Sequence, residues 1–128
     1  MTQARHWTEW LLIAIAVITL LSGIGQLLLP DAALTFMGVN PLPESRYLFR
    51  LVSLLTALFG GVLLHTSFPG QYDSVVLLWA GLQKLFGAAA VLLAVLGGLI
   101  ASQTLLIAGY DALAGVYVLW FYNRRKGS

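Results

Sequence analysis

The sequence predicts an all-α polytopic membrane protein, a four-transmembrane-helix bundle with short loops that forms one domain over residues 1–128. Three observations carry that expectation. Only 9% of the residues are charged while 59% are hydrophobic, and the mean hydropathy is +0.88. A water-exposed domain usually carries about 25% charged residues, because its surface must stay wet. Four apolar segments, at 10–29, 47–66, 74–97 and 102–122, approach or exceed the ~20 residues that cross ~30 Å of hydrocarbon. No alternating strand pattern accompanies them, and in lipid every backbone amide must be paired internally, which leaves helices.

The first segment is too long for the apolar region of a signal peptide and no A-x-A-like site follows it. It therefore reads as a span and not as a cleaved leader. Pro30-Asp31 ends it. The link that follows, "PDAALTFMGVNPLPESR" at 30–46, admits two readings. In one, Asp31 N-caps a short interfacial helix through Met37 that stops at Gly38, with Leu34, Phe36 and Met37 against the membrane surface. In the other, the stretch is an apolar loop packed on the bundle. Asn40 precedes Pro41 and so is no glycosylation acceptor. Pro41 and Pro43 introduce the second segment, Pro69-Gly70 turns the chain into the third, and Gly97-Gly98 closes the third. The link after Gly98 is so short that the third and fourth helices should form a tight antiparallel hairpin.

Four spans place both ends of the chain on one side. Arg5, Arg124, Arg125 and Lys126 fall there, against Arg46, or Arg46 and Arg50, on the other side. Cytoplasmic flanks collect Lys and Arg, so the termini are expected in the cytoplasm. Trp7, Trp10, Tyr47, Tyr72, Trp120 and Tyr122 sit near the expected interfaces, where amphipathic rings are favoured. The same logic disposes of a nucleic-acid reading. The net charge is +2, but the basic residues are few and mostly terminal, and "NRRK" at 123–126 is a membrane flank.

Charge inside the spans is rare, and three groups stand out: Arg50, Lys84 and Asp111. By helical rise, Lys84 lies about 15 Å from the inner end of the third helix and Asp111 about 14 Å from the outer end of the fourth. Both depths are near the midplane, and the hairpin makes the two residues neighbours, so an ion pair is expected. An unpaired charge at that depth costs roughly 3 kcal/mol on insertion scales. Arg50 lies only about 5 Å inside the outer edge, where it either snorkels outward or turns in toward the pair.

Helical spacing favours the inward direction. Arg50, Ser53, Ala57 and Gly61 share one narrow face, as do Ala80, Lys84, Gly87, Ala88 and Val91, and Ala108, Asp111, Ala112, Gly115 and Val118. Small residues mark helix contact in membranes because they let backbones approach. The first helix offers Thr19, Ser22, Gly23 and Gln26. The four faces converge on one interior, whose outer half is expected to be lined by Gln26, Arg50, Gln83, Lys84, Tyr110 and Asp111 as a ligand-binding or structural polar cluster. A Lys–Asp pair can specify which helices pack, or serve a bound molecule or proton.

The chain has no cysteine, and it lacks a Ser-His-Asp arrangement, a phosphate-loop lysine and an H-E-x-x-H motif. No catalytic residue is therefore assigned. His6 and Glu9 in "HWTEW" are two potential ligands without partners, so no metal site is expected, and His65 reads as interfacial. "GIGQ" is a helix-packing glycine pair, since no strand precedes it.

"GIGQLLLP", "RYLFRLVSLLTALFG", "GLQKLFGAA" and "YDALAGVYVLWFYNRR" together resemble small bacterial four-helix membrane proteins of the DoxX-like set and its uncharacterised relatives. The likeness covers nearly the whole chain. It implies the bundle architecture and a link to quinones. Three functions follow as expectations. The first is an accessory or binding protein that holds an amphipathic ligand, lipid or quinone, or a partner subunit at the polar cluster. The second is a small proton-coupled transporter with Asp111 as carrier and Lys84 as counter-ion, closed by oligomerisation. The third is a quinone-handling subunit of a membrane redox complex. The first leads, because the chain holds recognition groups but no reactive constellation. Expected partners are the lipid bilayer and a membrane protein or further copies of the chain, with no intrinsic cofactor.

Overall fold

A computed structural model describes residues 6–68 and 72–126, with side chains as far as Arg124. Arg5, the Pro69-Gly70 turn and the side chains of Arg125 and Lys126, which enter the expectations above, lie outside the described residues. The chain is all-α: α1 (Trp7–Leu28), α2 (Pro30–Phe36), α3 (Pro43–Ser67), α4 (Ser74–Leu96), a 3-10 turn (Ser102–Thr104) and α5 (Leu105–Lys126). Four of these stretches are long and apolar enough to cross a membrane: α1, α3, α4 and the 3-10 turn with α5. The fold is a polytopic four-helix membrane bundle.

Local chemistry sets the ends of the helices. α1 begins three residues before the apolar run, because the Glu9 carboxylate accepts the His6 backbone N–H at 3.4 Å and draws the polar residues into the first turn. α3 likewise begins at Pro43, four residues early. Proline suits the first helical position, where no N–H is needed, and Ser45 Oγ accepts the Leu42 N–H at 2.9 Å. α4 is capped by Asp73, whose carboxylate accepts the Val75 N–H at 2.8 Å. It ends as the sequence indicates, with Gly97 as C-cap and Gly98 at φ +75°.

The first link does form a short helix, but two details differ from expectation. The N-cap is Leu29 and not Asp31, since Pro30 takes the first helical position and starts the helix two residues earlier. Leu34 is 3% exposed and points into the bundle; Phe36 is exposed and Met37 half-buried. Gly38, at φ +76°, reverses the chain, and the Met37 carbonyl accepts the Ala101 N–H at 2.7 Å. A Cβ on Gly38 would stand 3.1 Å from that of Ala101, so glycine permits both the turn and the contact.

The bundle is assembled from two closely packed pairs, α1 with α3 and α4 with α5, which meet each other more lightly. In the first pair, a Cβ added to Gly23 would lie 2.5 Å from the Ala57 nitrogen, and one added to Gly60 would lie 2.5 Å from the Leu20 nitrogen. The backbones touch directly, as small residues allow in lipid. Gly60 thus occupies the contact expected of Gly61, which meets only Leu20 Cδ1 at 3.9 Å. In the second pair the close approach is at Gly81 and Gly115, while Gly87, expected on that face, has open space around it.

The pairs are joined at three levels. A core of Leu12, Ile15, Ala16, Leu63, Leu77 and Val118, among others, fills the half nearer the start of α1. At that end Tyr72 donates to Glu9 Oε1 at 3.1 Å and Tyr117 to the Thr8 carbonyl at 2.6 Å. At the opposite end Gln103 Nε2 donates to the Phe36 carbonyl at 2.8 Å, beside the Met37–Ala101 bond. Between the core and that far end lies the polar level.

Candidate functional site

Lys84 shares the inward face of α4 with Leu77, Ala80, Gly81 and Ala88. The small neighbours leave room for its long side chain, which leads to an ammonium only 4% exposed. Across the seam, the buried Ala108 and Gly115 flank Asp111 on α5. The gap from Lys84 Nζ to Asp111 Oδ1 is 3.8 Å, and Asp111 keeps 27% of its side chain exposed. This is a charge contact longer than a hydrogen bond, so the ammonium retains donors. The Tyr110 ring supplies a further attraction, with its centroid 5.4 Å from Nζ. Charge, counter-charge and aromatic face therefore meet within the α4–α5 pair.

Two polar atoms on residues next to the pair in the chain are buried without a hydrogen bond: Gln83 Oε1 and the Tyr110 hydroxyl. The hydroxyl comes near Thr19 of α1 without closing a bond of good geometry, and Thr19 itself donates to the Ile15 carbonyl at 2.8 Å. Leaving a buried polar group unpaired costs about 1–3 kcal/mol, and such groups are rare in folded proteins. Thr104 Oγ1, at the end of the 3-10 turn before α5, is a third.

The six residues expected to line one interior divide into three places. Lys84, Asp111 and Tyr110 come together, with Gln83 adjacent in the chain and turned partly inward. Gln26 lies on the α1–α3 seam, where Ser53 Oγ is 3.4 Å from its Oε1 and also donates to the Phe49 carbonyl at 2.8 Å. Arg50 is exposed and does not join the pair. It borders a groove of about 270 Å³ with Leu28, Leu29, Asp31 and Arg46. The buried face of α3 begins one turn later, at Ser53, where α1 covers it. At the level of Arg50, α1 is already ending.

That groove contains an ion pair the sequence reading missed. Arg46 donates from Nε to Asp31 Oδ1 at 2.7 Å and from Nη2 to Oδ2 at 3.2 Å, and its Nη2 also reaches the Pro41 carbonyl at 3.1 Å. The hydrogen bonds from Arg46 hold the Asp31 carboxyl below its ordinary value against a partial loss of solvation, and the charges of Arg46 and Arg50 lower it further. Two opposite charges bracketing one interfacial link were the available signal. At the other end, Arg124 stacks on Trp120 at 5.0 Å, bordering a cavity of about 320 Å³ with His6, Trp7 and Glu9. His65 is exposed near the end of α3.

No protein-family model, no curated protein and no solved structure matches the chain.

Proposed function

We propose that this chain is a membrane binding protein that holds the polar head of an amphiphile, a lipid or a quinone, at the level of Lys84 and Asp111. One observation carries the reading: Tyr110, whose ring lies against Lys84, presents a buried hydroxyl that no protein group satisfies, beside an ion pair loose enough to retain donors. Gln83, next to Lys84 in the chain, has a buried unsatisfied Oε1 as well. A carbonyl head would accept from the Tyr110 hydroxyl and the Lys84 ammonium, and a hydroxyl head would donate to Gln83 Oε1. Asp111 would keep the Lys84 charge balanced whether or not the site is filled. The likeness to DoxX-like proteins supports a quinone among the candidate ligands. In this reading the protein sits in a bacterial inner membrane with both termini cytoplasmic, alone or as accessory to a membrane partner.

Native mass spectrometry from lipid nanodiscs, with the released molecules identified after denaturation, tests the proposal. Wild-type protein should retain an amphiphile with a carbonyl or hydroxyl head, and Tyr110→Phe should lose it by roughly tenfold, the worth of one well-made hydrogen bond. Emptied of ligand, Tyr110→Phe should be as stable as wild type or slightly more so, because it deletes an unsatisfied hydroxyl. A wild-type protein that carries nothing, or a Tyr110→Phe variant with full occupancy, would overturn the assignment. Substrate-dependent proton flux in liposomes would instead favour the transporter.

A further inference from the structure

We propose that the groove beside Arg50 binds the phosphate of an anionic phospholipid in the leaflet on the α2 side of the bundle. This is a second site, independent of the one at Lys84. By helical rise Arg50 lies about 10 Å along α3 from its first residue but about 5 Å inside the apolar span at 47–66, on a helix long and apolar enough to cross a membrane. It is exposed, and among the described residues it has no hydrogen bond or ion pair. A lipid-facing guanidinium at that depth needs an anion, or must stretch toward one.

The charge of the groove says which anion. Its acid, Asp31, has both oxygens engaged by Arg46. Two guanidinium charges less one carboxylate leave one positive charge, at Arg50. A zwitterionic headgroup would bring an ammonium, and the carboxylate that could pair with it, Asp31, is already engaged by Arg46. An anionic phosphodiester brings one negative charge and matches. Arg50 offers a planar fork of donors suited to two phosphate oxygens, and Arg46 is held in position next to it by Asp31 and the Pro41 carbonyl. Free phosphate shares this chemistry. The walls favour a lipid, since Leu28 and Leu29, at the end of α1, are 70% and 67% exposed and offer apolar surface to a glycerol backbone and its chains.

The test is native mass spectrometry of the full chain released from nanodiscs of phosphatidylethanolamine and phosphatidylglycerol in equal parts. Wild type should retain phosphatidylglycerol in preference to phosphatidylethanolamine. Arg50→Ala should lower that retention roughly tenfold, the loss expected for hydrogen bonds to a charged partner, and Arg50→Lys, which keeps charge but not the fork, should fall between. Arg124→Ala, at the opposite end, should retain the lipid as wild type does. Inorganic phosphate added to the nanodiscs separates the two sources: a lipid site keeps its phosphatidylglycerol, whereas displacement identifies a free-anion site and overturns the lipid assignment. Equal retention of the two lipids by wild type, or wild-type retention by both Arg50 variants, also overturns the proposal. If either variant fails to insert, the wild-type preference decides the matter by itself.

Discussion

Lys84 and Asp111 are each costly in a bilayer and acceptable together. At 3.8 Å, with the ammonium almost wholly enclosed, removal of either partner leaves a charge that the interior cannot solvate. Lys84→Met or Asp111→Leu alone should therefore destabilise the bundle by about 3–5 kcal/mol, while the double variant should be milder than the sum. Reversible unfolding in bicelles, read as a double-mutant cycle, measures this. Simple additivity would show that the two residues do not interact, because independent sites normally add. The Asp31–Arg46 pair sits in a different solvent regime. It is exposed to the interface, so its main effect is positional: it ties α2 to the first turns of α3 and sets Arg46 beside Arg50.

At the level of helices, the closest contacts are made where side chains are absent. α1 and α3 meet backbone to backbone at Gly23–Ala57 and Leu20–Gly60, and a methyl group on Gly60 would fall 2.5 Å from the Leu20 nitrogen. Backbone cannot step aside as a flexible side chain can, so Gly60→Ala should push the helices apart and cost about 1–3 kcal/mol. Gly87 provides the contrast. Nothing lies within 4 Å of its would-be Cβ, and alanine is the better helix former by up to about 1 kcal/mol. Gly87→Ala should thus be neutral or stabilising in the same unfolding assay. If the two variants behaved alike, the α1–α3 seam would not be the tight interface described.

Across the whole molecule, two tight pairs are fastened together at both ends and by the apolar core, leaving polar groups between the core and the far end. The fastening by Tyr72 and Tyr117 places the start of α1 and the last turns of α5 on one side. Which side faces the cytoplasm rests on charge: Arg5, Arg124, Arg125 and Lys126 mark this end. A reporter fused after Ser128 should be active in its cytoplasmic form and inactive in its periplasmic form. Strong periplasmic activity would invert the orientation and put the α2 side, with the Arg50 groove, in the cytoplasmic leaflet.

The spans are legible in the sequence, because transfer from water to lipid adds residue by residue along a segment and prolines and glycines interrupt it locally. Pro30, Pro43, Gly38 and Gly97-Gly98 all punctuate the chain where the helices turn. The sequence also made the Lys84–Asp111 contact legible, since common depth and a short link leave the two charges little choice. The facing of the helices depends on how they pair. α1 pairs closely with α3, which takes Gln26 to Ser53 and away from Lys84. One residue of helical phase, about 100°, moves the glycine contact from Gly61 to Gly60. The end of α1 at Leu28 uncovers the first turns of α3, so Arg50 is exposed although it shares a spacing with the buried Ser53 and Ala57. Hydropathy is a property of each segment, whereas facing depends on which neighbour covers it and how far that neighbour extends.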